Sequence, residues 1–530
     1  MARPLVLPSL VALALASPAL APPVGAQARV SLPMRFDADV ARALRQFQVP
    51  GAAIAVVKDG RVLLAKGYGV RRVGDATRVD PHTLFQIASN TKAFTTACIA
   101  MLVDAGSMGW DDRVTKYLPD FQLADPWVTR EFTIRDLVTH RSGLGLGAGD
   151  LLWLHSTYGR AEIIRRLRAA PPVSSFRSQY AYDNVLYAAA GEIIPAATGK
   201  TWETFVRERI LVPLGMTETR VGVGDLRPGD PLAAPHAVVG GRPRVVPLDT
   251  VDNIAPAGAF LSNVADLSKW LLAQLDSGRA GGNRLWSARQ TRELWSAQTI
   301  IPIADPDPPL AALRPSFAAY GLGWRLRDYR GHKIVWHTGG LAGMTSMTTL
   351  VPDLRLGIVI LTNGESDAYA ALTYELLDHF FGVAASDWIK AFDDAAQQDQ
   401  TQADSTLRAM RRTRDSTAGP SLPLARYAGR YSDALYGDAT ISLEGGVLVL
   451  RFGASPAFVG DLEHWQYDTF RTGWRTQNLA DAFVTFDLNP DGSIAQFRMA
   501  AVSPLADFSF DYQDLRFVPA RGGGGPGGRR

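Results

Sequence analysis

The sequence of 530 residues contains one cysteine, Cys98, so it forms no intramolecular disulfide even in an oxidising compartment. This thiol lies in an apolar run, which favours inert packing over a role as nucleophile. Charge of one sign is also scarce: 55 basic and 52 acidic residues give a formal net charge of +3. With no basic cluster except at the very end of the chain, this balance argues against nucleic acid as a partner.

Histidine is scarce as well, and the eight histidines do not lie at spacings typical of metal ligands. His332 and His337, for example, are five residues apart, so a strand would direct them to opposite faces. No G-x-S-x-G motif surrounds any serine, including the alternative nucleophile Ser142, which argues against an α/β-hydrolase. We therefore expect no metal and no cofactor, and we interpret His140 as a structural residue that braces a loop.

The first residues have the pattern of an export signal. Arg3 supplies a positive charge, residues 5–20 are mostly apolar, and small residues follow. Prolines at positions 4, 8 and 18 interrupt this run, so we do not expect a retained membrane helix, and no nearby cysteine offers a lipid attachment point. Two Ala-x-Ala sites compete for cleavage, and we take residues 1–28 as a signal peptide. The mature protein is then periplasmic or secreted, with no stable membrane anchor.

Composition divides the remaining chain into four segments. We expect a large domain over residues 29–385, which has ordinary globular composition. Residues 386–423 are rich in polar side chains and predict a linker or a polar helix. Residues 424–519 contain short alternating segments at close spacing, the last of them over residues 508–517, and these strand-like segments predict a small antiparallel barrel or sandwich. The glycine- and arginine-rich tail, residues 520–530, is predicted to be disordered.

A Ser-x-x-Lys tetrapeptide at residues 89–92 is the main chemical signal in the chain. If this segment is helical, residues three apart share a face, and the Lys92 amine lies beside the Ser89 hydroxyl. A serine hydroxyl is a weak nucleophile until a neighbouring base takes its proton. A lysine in a dry pocket can be that base, because desolvation lowers its pKa towards neutrality. Taken alone, the same spacing is also typical of a helix with a polar first turn.

Two further motifs follow along the chain. A Tyr-x-Asn triplet occupies residues 182–184, and His-Thr-Gly-Gly at residues 337–340 ends an apolar, strand-like run. In this order the motifs resemble those of the serine β-lactamase and penicillin-binding-protein superfamily, specifically its class C-like branch of D-peptidases and esterases. The resemblance extends from about Phe36 to about Phe381, and the supporting segments are residues 49–52, 133–143, 213–217, 256–259 and 320–324.

The resemblance implies the fold. Its class is α/β (α+β), with an antiparallel sheet flanked by helices plus a helical subdomain, and the active site lies between them. Strand-like runs at both ends of the large domain, around a helical middle, agree with this architecture. The Asp-Gly pair at residues 59–60 joins the apolar runs 52–57 and 62–65 and predicts a tight hairpin. In the C-terminal domain, residues 427–431 and 462–470 resemble the lipocalin-like barrel appended to some members of the family.

The same resemblance implies roles for the motif residues. Ser89 attacks a carbonyl carbon and forms an acyl-enzyme that water later hydrolyses. Lys92 accepts or relays the serine proton, whereas Tyr182 is the alternative base as a phenolate and then protonates the leaving group. The sequence leaves open which of the two is the base. Asn184 orients Lys92 or binds a substrate carbonyl.

The His-Thr-Gly-Gly segment implies an edge strand along the site. Gly339 and Gly340 would let the substrate backbone approach and pair with that strand. The backbone amides of Ser89 and Gly340 are candidates for the oxyanion hole. His337 stands where many members of the family have lysine, so the field that attracts a substrate carboxylate would be weaker and pH-dependent.

These observations predict an exported serine hydrolase that cleaves an amide or an ester. A D-peptidase or esterase, similar to penicillin-binding proteins, is the first expectation, and a true β-lactamase is the alternative. The expected partner is a small-molecule or peptide substrate: a D-amino-acid peptide, an ester or a β-lactam. A catalytically inactive relative that binds peptidoglycan fragments or apolar ligands is the alternative outside enzymes. Homo-oligomer formation stays open.

Overall fold

The computed structural model describes residues 31–520. The predicted signal peptide and all of the predicted tail except Ala520 lie outside the described residues. Within them, the fold confirms the predicted class: a mixed domain with a large antiparallel sheet and helices is followed by a closed, eight-stranded antiparallel barrel.

The large sheet is antiparallel throughout and has eight strands. In spatial order they are Arg61–Gly69, Gly51–Lys58, Leu356–Thr362, Met344–Val351, His332–Leu341, Arg325–Tyr329, Ala318–Tyr320 and Thr299–Ile300. Every residue of Gly51–Lys58 and of Leu356–Thr362 is buried, because these neighbouring apolar strands are covered on both faces. Two-stranded pairs elsewhere are Phe85–Gln86 with Leu261–Ser262, His236–Val239 with Arg242–Val245, and Arg279–Ala280 with Asn283–Arg284.

Helices cover both faces of this sheet. Ala53 and Ala55 belong to the larger core on one face, whereas Ile54 and Val56 belong to the core on the other. The helices of the large domain are Phe36–Gln46, Thr91–Asp104, Pro126–Glu131, Ile134–Leu137, Arg160–Arg166, Val185–Thr198, Trp202–Val206, Val212–Leu214, Ala255–Gly258, Val264–Leu275, Ala288–Leu294 and Ala368–Phe381. Asn263 caps the helix Val264–Leu275 by accepting the Asp266 N–H, and Gly382 ends Ala368–Phe381 in a left-handed conformation.

The second domain is a barrel whose strands pair with their neighbours in sequence order, and whose first and last strands also pair. Its strands are Gly429–Asp433, Gly437–Glu444, Val447–Phe452, Val459–Gln466, Thr469–Trp474, Ala482–Leu488, Ile494–Ala501 and Arg516–Pro519. A 26-residue helix, Trp388–Thr413, precedes it. Closure leaves no unpaired strand edge, which is how small all-β domains avoid edge-to-edge association.

One sequence-based expectation about local structure was wrong. A strand over residues 508–517 was expected, but residues 502–511 form an extended loop and the strand begins only at Arg516. We call residues 502–511 the barrel loop. The helical stretch around Ser89 is present: a 3-10 turn over Ala88–Asn90 leads into the helix Thr91–Asp104. Both segments matter for the site, since residues of both line its cavity.

Candidate active site

A cavity of about 380 Å³ lies between the strand His332–Leu341, the helical subdomain and the barrel loop. Six of the seven predicted site residues line it: Ser89, Tyr182, Asn184, His337, Gly339 and Gly340. The seventh, Lys92, lies beside them with none of its surface exposed. The structure therefore brings together residues from three motifs that are spread over about 250 positions of the sequence.

A strained turn presents Ser89 to the cavity. Ala88 has a positive φ of 46°, which is uncommon for a residue with a side chain. The Asn90 side chain fixes the turn to the sheet by donating to Ser346 Oγ at 2.8 Å. Ser89 consequently lies just before the N-terminus of the helix Thr91–Asp104, and its half-buried side chain lines the cavity.

Gly339 and Gly340 contribute in different ways. A Cβ atom on Gly339 would lie 2.1 Å from the Ile87 carbonyl oxygen, so only glycine lets this strand approach the turn that carries Ser89. A Cβ on Gly340 would meet nothing within 4 Å. Gly339 thus sets the width of the site, while Gly340 leaves open space beside the strand.

Lys92 is fully buried and makes three hydrogen bonds. Its Nζ donates to Ser89 Oγ at 2.9 Å, to Asn184 Oδ1 at 2.7 Å and to the Ala257 carbonyl at 3.0 Å. Burial lowers the pKa of Lys92 to about 7, although the carboxylates of Asp150 and Asp183 oppose that shift. Near neutral pH a substantial fraction of this lysine is therefore uncharged and able to accept a proton.

Asp150 extends the chain of hydrogen bonds that begins at Lys92. Asn184 Nδ2 donates to Asp150 Oδ2 at 2.8 Å, and Trp153 Nε1 donates to the other carboxyl oxygen at 2.8 Å. Burial raises the pKa of Asp150 to about 7. Sequence reasoning missed this residue, because no motif or fixed spacing connects it to Ser89.

Tyr182 is buried above Lys92. The amine lies 4.9 Å from the centre of the phenol ring, whose other side packs on His140 with 4.2 Å between ring centres. Burial raises the pKa of Tyr182, and its hydrogen bond with Ser89 opposes this shift only in part. The phenol therefore keeps its proton at neutral pH, a state that can donate a proton and does not accept one as a phenolate would.

His337 is held by two hydrogen bonds. Its Nδ1 lies 2.6 Å from the Thr338 carbonyl oxygen, and its Nε2 lies 2.9 Å from the Tyr320 hydroxyl. Because a carbonyl oxygen only accepts, Nδ1 carries the proton and Nε2 accepts from Tyr320. Burial lowers the pKa of His337 well below its usual value, so the ring is neutral. The expected weak and pH-dependent positive field is therefore absent near neutral pH.

The barrel loop forms one wall of the cavity, a contribution that the sequence did not reveal. Phe508 packs edge-on against Tyr182 with 5.8 Å between ring centres, and Ser509 Oγ donates to Asp150 Oδ2 at 2.9 Å. Buried Asp511 anchors the loop by accepting the N–H groups of Gly149 at 2.7 Å and Leu151 at 3.2 Å. The second domain thus reaches the hydrogen-bond chain that holds Lys92.

Two known family models match this chain. The Beta-lactamase family model matches residues 36–380. The chain belongs to this family. A second model, a domain of unknown function (DUF3471), matches residues 413–519 and so covers the barrel. The resemblance inferred from the motifs is confirmed.

Two curated relatives are named as a hydrolase and as a penicillin-binding protein. The chain is 34% identical to the unguisins hydrolase ungD' of Aspergillus campestris, over 77% of this chain and 78% of the relative. It is 32% identical to penicillin-binding protein 4 of Amycolatopsis lactamdurans, over 66% of this chain and 89% of that protein. These relatives support a serine hydrolase in the broad sense.

Solved structures share the fold of both domains. The octameric penicillin-binding protein homologue from Pyrococcus abyssi aligns with a TM-score of 0.59 and 21% identity, covering 88% of this chain and 98% of its own. SurE aligns with a TM-score of 0.53 and 21% identity, covering 92% and 99%.

In residues 31–520, no group of three or more His, Cys, Asp or Glu side chains is placed to hold a metal ion. Across the same residues, no helix combines the length and hydrophobicity needed to cross a bilayer.

Proposed function

We propose that the protein is an exported serine hydrolase that cleaves an amide or ester bond through an acyl-Ser89 intermediate, acting as a D-peptidase or esterase. The observation that carries this proposal is the contact between the buried amine of Lys92 and Ser89 Oγ at 2.9 Å. A neutral amine at hydrogen-bond distance from a serine is the arrangement that general-base activation requires. Export rests on the sequence of the first 28 residues.

Acylation begins with proton transfer from Ser89 Oγ to Lys92 Nζ while the oxygen bonds to the substrate carbonyl carbon. Lys92 is the base because burial favours its neutral form, whereas burial keeps Tyr182 protonated. The phenol of Tyr182 then gives its proton to the leaving nitrogen or oxygen as that bond breaks, and the Lys92 ammonium reprotonates the phenolate. Water hydrolyses the ester on Ser89 and restores the free hydroxyl.

The negative oxygen that develops during attack needs hydrogen-bond donors. The backbone amides of Ser89 and Gly340 remain our candidates, because both residues line the cavity and Gly340 leaves it open. Asn184 holds Lys92 by accepting from its amine, so it acts as a positioning residue in this scheme.

The neutral state of His337 favours peptidase or esterase chemistry over efficient β-lactam hydrolysis. A fixed positive charge at this position would attract the carboxylate of a penicillin, and a neutral imidazole does not. The ring instead braces Tyr320 and the strand His332–Leu341.

The test is acyl-enzyme formation measured by intact protein mass. The protein lacking residues 1–28 is incubated with benzylpenicillin and, separately, with N-acetyl-D-alanine thioesters, and protein and small-molecule masses are recorded together. We expect an adduct or turnover that Ser89→Ala abolishes. Ser142→Ala is the matched control, since Ser142 is buried and donates to Asp183 at 3.2 Å.

An adduct that persists in Ser89→Ala, or no adduct and no turnover with either compound, would overturn the proposal. In the second case the expectation of a non-catalytic binding protein would gain support. Rapid penicillin turnover that depends on Ser89 would keep the acyl-enzyme and change the substrate class to β-lactams.

A further inference from the structure

The segment that begins at His140 holds the chain on both sides of Tyr182. The His140 carbonyl accepts the Ala181 N–H at 3.0 Å, and His140 Nδ1 accepts the Asp183 N–H at 3.2 Å. Ser142 Oγ donates to Asp183 Oδ2 at 3.2 Å. Because Ala181 and Asp183 are the sequence neighbours of Tyr182, these three hydrogen bonds fix the backbone that carries the phenol.

The imidazole of His140 also lies against the phenol ring itself. The two ring centres are 4.2 Å apart, and the ring planes are inclined by 34°. His140 is 1% exposed, and its other aromatic neighbours, at 4.3 to 5.9 Å between ring centres, are Tyr320, Tyr187 and Tyr180. In such close packing the phenol cannot move towards His140, so the imidazole limits where the Tyr182 hydroxyl can lie.

One tautomer of His140 is compatible with these contacts. A backbone N–H only donates, so Nδ1 accepts and the ring proton lies on Nε2. Burial lowers the pKa of His140 well below its usual value, and the positive charges of Lys92 and Arg325 act in the same direction. The imidazole is therefore neutral, and its lone pair stays available to the Asp183 N–H.

His140 carries two features that cost stability. Its φ of 55° is positive, a conformation that a residue with a side chain rarely adopts. Its Nε2 is buried, and among residues 31–520 it has no hydrogen-bond partner. Packing alone would be served better by an apolar ring, whereas strain and an unpaired donor are typical of residues near an active site. The contact with the Tyr182 segment therefore explains a histidine here better than stability does.

We propose that His140 is a positioning residue for protonation of the leaving group, holding the Tyr182 phenol where it reaches the departing atom; this inference rests on the proposed function. His140 is not among the residues that line the cavity, so it acts through Tyr182 and not on the substrate. In the proposed reaction on an ester, the bond from the carbonyl carbon to the leaving oxygen breaks and that oxygen takes the phenol proton. The Lys92 ammonium then returns a proton to the phenolate. A displaced phenol slows this transfer.

The experiment compares two esters of N-acetyl-D-alanine that differ in the leaving group. 4-Nitrophenolate departs without a proton, whereas ethoxide has to be protonated as it leaves. Product release gives kcat/KM for each ester, a constant that includes acylation and therefore the step in which Tyr182 acts. The ratio of the two constants measures how well the phenol is placed, and a general loss of folded protein leaves that ratio unchanged.

Substitutions at two positions should change this ratio in the same direction. Tyr182→Phe removes the phenol hydroxyl and should give the largest change. His140→Phe keeps a ring but loses the acceptor for the Asp183 N–H. It should slow the ethyl ester about 10- to 100-fold more than the nitrophenyl ester, the effect of a small misplacement of a reacting group. His140→Asn offers Oδ1 as an acceptor and tolerates a positive φ, so its change should be smaller.

The double variant His140→Phe with Tyr182→Phe tests whether His140 acts through the phenol. Its ratio should equal that of Tyr182→Phe alone, because a positioning residue loses its effect when the group that it positions is absent. His236→Phe is the matched control. His236 is also 1% exposed, its Nε2 accepts the Val73 N–H at 3.1 Å, and it does not line the cavity. This control should keep the ratio of the unmodified protein.

Three results would overturn the inference and leave the proposed function intact: an unchanged ratio in both His140→Phe and His140→Asn, an unchanged ratio in Tyr182→Phe, or a double variant that changes the ratio more than Tyr182→Phe does. Hydrolysis of neither ester, or hydrolysis that Ser89→Ala retains, would overturn the proposed function and this inference together. Should His140→Phe fail to fold, His140→Asn alone and combined with Tyr182→Phe decides the question.

Discussion

The centre around Lys92 and the interior of the barrel use burial in opposite ways. Around Lys92, polar and ionisable side chains are enclosed and linked by hydrogen bonds, so that burial shifts the pKa of Lys92 and of Asp150 to about 7. In the barrel, Tyr427, Phe470 and Phe486 pack ring against ring, with 5.2 Å between the centres of Tyr427 and Phe470. One region uses desolvation to tune reactivity and the other uses it to gain stability.

This difference indicates which part of the second domain contributes to the active site. Aromatic side chains, Phe470 among them, fill the interior of the barrel as core packing. The barrel instead contributes through the barrel loop, which lies against the catalytic domain. Four substitutions separate these roles, beginning with the largest expected effect.

Replacing Lys92, the proposed base, should abolish most activity without unfolding the protein. Lys92→Met should reduce kcat/KM by about 10²- to 10⁴-fold, the usual contribution of a positioned base. In the unmodified protein, kcat/KM should fall tenfold per pH unit below about pH 7, because protonation of Lys92 removes the acceptor for the serine proton. Lys58→Met is the control, since Lys58 is also buried but remote from the cavity. A flat profile between pH 5 and pH 8 would contradict this assignment.

A cavity in the core of the barrel should lower the stability of the protein and leave its catalytic activity nearly unchanged. Phe470 is 1% exposed, and Phe470→Ala should lower the free energy of unfolding by about 3–5 kcal/mol. Urea unfolding measures this loss, and kcat/KM of the folded protein should stay within twofold. Leu443→Ala, at a position that is 41% exposed, is the control and should change stability little. A large fall in kcat/KM of folded Phe470→Ala would contradict the conclusion that the barrel interior contributes to stability and not to catalysis.

Removing the anchor of the barrel loop should give a smaller loss of stability. Asp511→Ala removes the carboxylate that accepts from the N–H groups of Gly149 and Leu151 and from the Tyr436 hydroxyl, at a cost of about 1–3 kcal/mol. Asp511→Asn keeps one acceptor oxygen and should lose less. The measurement is the urea midpoint together with the rate of proteolysis in the loop, and unchanged values for both would show that this contact does not hold the domains together.

The smallest effect is expected for Ser509→Ala, a positioning residue of the loop. Its hydroxyl stabilises the charged form of Asp150, so removal raises the pKa of Asp150 and weakens its attraction for the Lys92 ammonium. The acid limb of the kcat/KM profile should therefore move to lower pH by less than about one unit, with a rate loss below about tenfold. A shift to higher pH would contradict the hydrogen-bond chain. Ser503→Ala, elsewhere in the same loop, should leave the profile unchanged.

The sequence predicted much of the fold because turns and alternating strands are encoded by residues that are neighbours in the chain. The Asp-Gly turn at residues 59–60 predicted the hairpin of the strands Gly51–Lys58 and Arg61–Gly69, which is confirmed. Alternating apolar residues predicted several strands of the barrel. The wrong strand over residues 508–517 has the same cause, since an aromatic-rich segment satisfies a strand pattern even when it packs against another domain.

By itself, the sequence determined the family, the two-domain order and the spacing that sets Lys92 beside Ser89, because residues three apart meet in any helical turn. Only the tertiary structure decided that Asp150 accepts from Asn184, that Arg325 lies beside Tyr182, and that Ser509 of the second domain donates to Asp150. The physical reason is that these contacts join residues 34 to 359 positions apart, and the pKa of each group depends on how completely the packed domains exclude water.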